Sequence, residues 1–178
     1  MMYLALLRGI NVGGKNRVEM ARLKAAFESI GSTRVRTYIN SGNVIFEHDR
    51  SRSRLQAAIA KAIEGEFGFE VRAVLRDLDE VTSLTKAIPA AWKEDASTRC
   101  YVMFLWDEVD DPAVLDRLTI REGMDDVKYV PGTIVWRVDR NLLTRSGMMR
   151  LTSDDLYKQM TIRNVNTVRK LADLMSDR

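Results

Sequence analysis

Cysteine and histidine are almost missing from this chain: Cys100 and His48 are the only ones among 178 residues. A single cysteine excludes an internal disulfide, and with it the small disulfide-stapled folds of secreted domains. A single histidine, set in the polar stretch 48–53, excludes a His-based triad and a multi-histidine metal site. No apolar run approaches the roughly 18 residues that a membrane span needs. The first residues have no basic leader and only about six apolar residues before Arg8, unlike a secretory signal. Together these absences predict a cytoplasmic protein with no membrane association. Charge of one sign is also lacking overall, at a net +3. What remains is 46% hydrophobic and 30% charged, enough apolar material for one ordinary domain or two small ones packed together.

The charge is unevenly spread. Residues 1–40 hold seven Lys/Arg against two Asp/Glu; residues 77–131 hold six against thirteen; residues 132–178 hold nine against five. Basic ends flank an acidic middle. That pattern fits ends that dock on the middle or face water, and it also fits a basic face for an acidic ligand.

Residues 2–7 are an apolar run that reads as a strand. A glycine-rich turn follows, and then a helix over residues 17–30, with Asn16 and Glu19 spaced as a capping box and Met20, Leu23, Phe27 and Ile30 as the buried stripe. Residues 34–39 alternate as a strand, with Val35, Thr37 and Ile39 on one face and Arg34, Arg36 and Tyr38 on the other. Asn40-Ser-Gly-Asn43 is a tight-turn composition, and residues 44–47 return as its hairpin partner. A second helix carries Leu55, Ile59, Ala62, Ile63 and Phe67 and ends at Gly68; residues 69–76 alternate as a strand. This βαββαβ order is the split βαβ, or ferredoxin-like, arrangement. Asp77 with Glu80 starts a short helix that Pro89 ends, and residues 90–97 read as linker. Residues 98–106 form a strongly apolar strand, and Asp111-Pro112 opens a helix over Val114, Leu115 and Leu118. A hairpin turns at Pro131-Gly132; the rest reads as helix and loop, ending in a helix over 167–175. The second half is then β-α-β-β-α, an echo of the first in order but not in residues. The expected fold is α+β: two ferredoxin-like subdomains related by duplication, with mostly antiparallel sheets and helices packed on them. The expected boundaries are 1–76, a connecting helix and linker over 77–97, and 98–178.

Four loops could hold a ligand. The first runs Arg8-Gly-Ile-Asn-Val-Gly-Gly-Lys-Asn-Arg17. Backbone amides and basic side chains at a strand-to-helix turn suit an anion. Gly9, four residues, Gly14 and Lys15 nearly match a nucleotide phosphate loop, but Asn16 stands where a Mg²⁺-ligating hydroxyl is needed, and the hairpins contradict a parallel sheet. The plainer reading is that Gly13 and Gly14 make a tight turn. The second loop is Asn40–Asn43. The third is Thr161-Ile-Arg-Asn-Val-Asn-Thr167, where Asn166 or Thr167 would cap the last helix while Arg163 and Asn164 face an anion. The fourth is residues 144–150. Turn-making and capping alone would also account for each. Cys100, in phase with Val102 and Phe104, reads as a buried structural thiol. The acids Asp107, Glu108, Asp110 and Asp111 read as a solvated helix start. Trp92, Trp106 and Trp136 read as packing residues. No metal or cofactor site is read. The ferredoxin-like sheet is also the scaffold of RNA-recognition domains, and Arg34, Arg36 and Tyr38, with Phe46 on the adjoining strand, are its only aromatic-basic fragment here.

Three blocks carry a resemblance: Ala5-Leu-Leu-Arg-Gly-Ile-Asn-Val-Gly-Gly-Lys-Asn16, Arg36-Thr-Tyr-Ile-Asn-Ser-Gly-Asn-Val-Ile-Phe46 and Thr161-Ile-Arg-Asn-Val-Asn-Thr-Val168. They resemble the signatures of the DUF1697 family, in the same order and over nearly the whole chain. The family's last block usually has Trp where this chain has Val165. The resemblance implies a bacterial-type α+β protein of two related subdomains and implies no activity. It also suggests that the three loops share one surface.

The leading expectation is therefore a binding protein or small enzyme for a small phosphorylated or acidic ligand. Its surface would be made by Arg8, Asn11, Gly13, Gly14, Lys15, Asn16, Ser41, Asn43, Arg163 and Asn164. RNA binding across the basic ends, and a structural or interaction domain without a ligand, are the alternatives.

Overall fold

The apolar run at the N-terminus forms strand β1 (Met2–Leu7), and every residue from Tyr3 to Leu7 is at most 2% exposed. A strand buried on both faces needs a continuous apolar run rather than an alternating one. The computed structural model that shows this describes residues 1–177. It resolves the chain into two units, Met1–Val81 together with the residues from Leu171 on, and Thr82–Lys170.

In the first unit the order is β1, α1 (Met20–Ser29), β2 (Thr33–Tyr38), β3 (Asn43–Glu47), α2 (Arg52–Phe67) and β4 (Ala73–Asp77), running on into α3 (Leu78–Ala87). The sheet order is β2-β3-β1-β4, with every pairing antiparallel. One face carries Tyr3, Ala5, Leu7, Val44, Phe46 and Leu75, and the helices bury Leu23, Phe27, Leu55, Ile59 and Ile63 against it. Phe27 meets Phe46 edge-on at 5.0 Å. Each such side chain contributes about 1.5–3 kcal/mol on burial, so this face dominates the unit's stability. The other face, with Leu4, Leu6, Ile45 and Val74, is also buried.

The second unit repeats that sheet. Strands β5 (Thr98–Leu105), β6 (Asp125–Val130), β7 (Thr133–Asp139) and β8 (Met160–Asn164) lie in the order β6-β7-β5-β8, again antiparallel. Helix α4 (Met148–Leu151) and helix α5 (Val165–Ser176) follow β7 and β8. The expected α+β fold with two ferredoxin-like sheets is thus the observed one. The duplication also reaches single residues. Leu7 donates its amide to Gly42 O at 2.8 Å, and Leu105 donates to Gly132 O at 2.9 Å. Arg76 lies opposite Leu4 and Arg163 opposite Val102; each is buried, and each donates to the carbonyl just before it, Leu75 O at 2.8 Å and Ile162 O at 2.9 Å.

Several local expectations are corrected. Helix α1 starts at Met20 with Glu19 at its N-cap and no side-chain cap, because Asn16 is turned into the left-handed region at φ 49° and donates to Gly9 O instead. Strand β4 begins only at Ala73, while Phe69 packs on Phe67 at 6.2 Å. Ile39 is not a strand residue: it sits in the turn at φ 49° and is 49% exposed. The helix after Asp111-Pro112 is a 3-10 turn, Pro112–Arg117, capped by Asp111. Residues expected as a loop form β8, so the second half has a fourth strand. Helix α5 starts at Val165, not Thr167. The helix expected to start at Asp77 with Glu80 does so through a capping box: Glu80 N donates to Asp77 Oδ1 at 2.9 Å and Asp77 N to Glu80 Oε2 at 2.8 Å. Among the described residues no helix is long and apolar enough to cross a membrane.

Candidate functional site

The loop after β1 is a small closed hairpin. Lys15 N donates to Val12 O at 3.1 Å and Asn11 N to Asn16 O at 3.0 Å. Gly13 and Gly14 occupy the two central positions with φ 58° and 73°. Positive φ at both is the type I′ geometry, which glycine adopts without steric cost. The amides of those two central residues take no part in closing the turn. Lys15 therefore follows a tight turn and is exposed.

Asn11 holds this loop to its surroundings. Its Oδ1 accepts from Val18 N at 2.8 Å, and its Nδ2 donates to Val18 O and to Asn40 O, each at 2.9 Å. One side chain thus stands in for a strand partner of Val18 and ties the glycine-rich loop to the Asn-Ser-Gly-Asn turn. Asn43 is 0% exposed and donates to Tyr38 O at 2.9 Å and to Ser41 Oγ at 3.0 Å. Asn11, Asn16 and Asn43, expected to face a ligand, use their amides to shape the loops. Gly42 packs where no side chain fits: a Cβ would lie 2.6 Å from Ile10 Cδ1 and 2.8 Å from Leu7 Cβ.

Between these loops and the start of α1 lies an open groove of about 650 Å³. It is lined by the polar or charged residues Asn11, Lys15, Arg17, Glu19 and Asn40, by Gly14, and by the apolar residues Val18, Met20 and Ala21. Arg17 and Asn40 were not among the expected site residues, although Arg17 closes the first loop and Asn40 opens the second. Among the described residues no ion pair engages Lys15 or Arg17. Three other basic side chains of this unit are matched: Arg22 pairs with Glu66 at 2.7 Å, Arg34 with Glu47 at 3.0 Å and Lys24 with Glu28 at 3.8 Å. A second groove, of about 360 Å³ near Lys24, Arg34 and Arg36, is lined by cations already engaged, Arg36 with Leu174 O.

Arg163 and Asn164 belong to the other unit. Arg163 is a strand residue, 7% exposed, bonded to Thr161 Oγ1 and Ile162 O at 2.9 Å, and burial pushes its guanidinium down to about 10. Asn164, rather than Asn166 or Thr167, serves the start of α5, accepting from Asn166 N at 2.7 Å. The remaining chemical candidates are structural. His48 Nδ1 accepts from Arg50 N at 3.0 Å, which leaves Nε2 to donate to Ile30 O at 3.1 Å. Burial raises the Cys100 thiol to about 11. Asp111 caps its turn, and Asp110 accepts from Tyr129 OH and Gly132 N, each at 2.8 Å. Burial, reinforced by Asp110, moves the Tyr129 phenol up to about 12. Tyr38 and Phe46, the aromatic pair of an RNA platform, lie on opposite faces of the sheet, with Phe46 in the core. Among the described residues no three His, Cys, Asp or Glu side chains are placed to hold a metal ion.

These features define a class: a duplicated α+β protein whose first unit presents a clamped glycine-turn loop beside a basic groove. The chain belongs to the DUF1697 family, described as proteins of unknown function, whose family model matches residues 1–136. The conserved bacterial protein SP0830 from Streptococcus pneumoniae has a similar solved structure, with a TM-score of 0.85 and 27% sequence identity, covering 98% of each chain. No curated protein matches.

Proposed function

We propose that the first unit binds a small anion, a phosphorylated or acidic metabolite, in the groove beside the glycine turn. The observation that carries this reading is the pair Lys15 and Arg17: both are exposed, both line one groove, and neither is matched by an acid among the described residues. Gly14 lines the same groove, and its amide adds a directional donor. An exposed charge-assisted hydrogen bond is worth about 1 kcal/mol net, so two cations with one or two amides support binding in the roughly millimolar range. The assignment is confined to the first unit.

Calorimetric titration with phenyl phosphate, as a small phosphorylated probe, at fixed ionic strength tests it. Saturable binding to the native chain is expected, weakened about fivefold by Lys15→Ala and lost in the Lys15→Ala, Arg17→Ala double variant. Binding unchanged in the double variant would refute the site. A single-stranded RNA response that falls steeply with salt, and is insensitive to Lys15, would replace the reading with nucleic-acid binding. No response to either leaves a structural domain.

A further inference from the structure

We infer, resting on the anion-binding reading above, that the ligand is an organic phosphate monoester with an apolar or aromatic body, not an inorganic phosphate or a polyphosphate. Three observations converge on this. The groove, at about 650 Å³, lies within the 300–1,000 Å³ typical of sites for organic ligands and far exceeds what one phosphate group fills. Its lining is also mixed. Lys15 and Arg17 supply cations, while Val18, Met20 and Ala21 supply apolar atoms. Val18 brings no free polar backbone, because the Asn11 amide takes both its N–H and its C=O. An apolar lining whose backbone is already satisfied favours an apolar ligand surface over a hydrated one.

Glu19 supplies the third observation. It lines the same groove as Lys15 and Arg17. It repels a second phosphate group and accepts a hydrogen bond from a hydroxyl or amino group on the ligand body. A monoester carrying one compact anion and one donor-bearing apolar body matches the arrangement; a polyphosphate does not.

The test titrates the native chain with inorganic phosphate, pyrophosphate and phenyl phosphate at equal ionic strength. Phenyl phosphate is expected to bind at least tenfold more tightly than inorganic phosphate, since burying a ring face adds favourable apolar area. Ala21→Gln, at an exposed helix position, keeps the net charge and puts a polar side chain into the apolar part of the lining; it should bring phenyl phosphate to within about threefold of inorganic phosphate. Glu19→Gln should tighten pyrophosphate several-fold. Circular dichroism confirms that both variants are folded. Equal or tighter binding of inorganic phosphate or pyrophosphate by the native chain overturns this inference and leaves the anion site standing. Ala21→Gln with an undiminished phenyl phosphate preference also overturns it. Absence of binding by all three ligands removes both.

Discussion

Gly42→Ala tests whether the two loops are locked by packing or only by turn chemistry. Gly42 sits at φ 80°, and an added Cβ would meet Ile10 Cδ1 at 2.6 Å and Leu7 Cβ at 2.8 Å, against the 3.5–4.0 Å of an ordinary carbon contact. Ile10 Cδ1 is the end of a flexible side chain and can rotate away. Leu7 Cβ cannot, because Leu7 is the last residue of β1 and its amide is bonded to Gly42 O at 2.8 Å. The left-handed backbone costs alanine about 1–2 kcal/mol, and the overlap adds about 1–3 kcal/mol. Gly14→Ala is the internal control. Its φ is 73° and nothing lies within 4 Å, so only the backbone contribution applies. Urea denaturation followed by far-ultraviolet circular dichroism should show Gly42→Ala less stable than Gly14→Ala by about 1–3 kcal/mol. The three tryptophans, Trp92, Trp106 and Trp136, lie in the second unit, so an unchanged native emission spectrum shows that unit to be intact. Equal losses in the two variants would refute the packing argument, and with it the claim that the Asn-Ser-Gly-Asn turn is pinned to the glycine-rich loop.

Further outcomes follow from other positions. Asp125 is buried and accepts from Trp136 Nε1 at 3.1 Å, Arg121 N at 2.8 Å, Gly147 N at 2.9 Å and the Ser146 hydroxyl. Asp125→Ala strands these donors and should destabilise the second unit by about 3 kcal/mol or more, read by the red shift of Trp136 emission. Burial pushes the Asp125 carboxyl up, but the bonds from Ser146, the two amides and the indole outweigh it and hold it below its ordinary 3.8. Its contribution to stability is therefore present above 3.8 and lost as pH falls below that value, and Asp125→Asn should flatten acid unfolding in this range. At Gly147 a Cβ would lie 1.5 Å from the Thr119 carbonyl oxygen, so Gly147→Ala should abolish the folded second unit, whereas Gly65→Ala, inside α2 with nothing within 4 Å, should stabilise by about 0.5–1 kcal/mol in the same denaturation assay. Cys100, raised to about 11 by burial, should resist a thiol reagent at pH 8 in the native chain and react at once in urea.

Much of this protein was written locally. The apolar runs of β1 and β5 announced strands. Asp77 and Glu80 announced the start of α3. Gly13-Gly14 and Asn40–Asn43 announced turns, and their order along the chain announced the first ferredoxin-like unit. Such signals are legible because turn conformations, caps and alternation depend on residues a few positions apart. Strand β8 was not legible. Met160–Asn164 is too short to alternate visibly, and it is a strand only because β5, far earlier in the chain, offers it an edge, with Val102 opposite Arg163. The same long-range pairing turned Arg163 from an exposed loop cation into a buried strand residue. Asn16 likewise fits a capping pattern by spacing, yet its amide serves Gly9, and Asn11, which carries no signal beyond a turn residue's composition, links Val18 and Asn40. The sequence by itself determined where the chain turns and which runs seek burial. Tertiary structure alone decided which polar groups are satisfied and which stay free, because a hydrogen-bond partner is chosen by proximity in space.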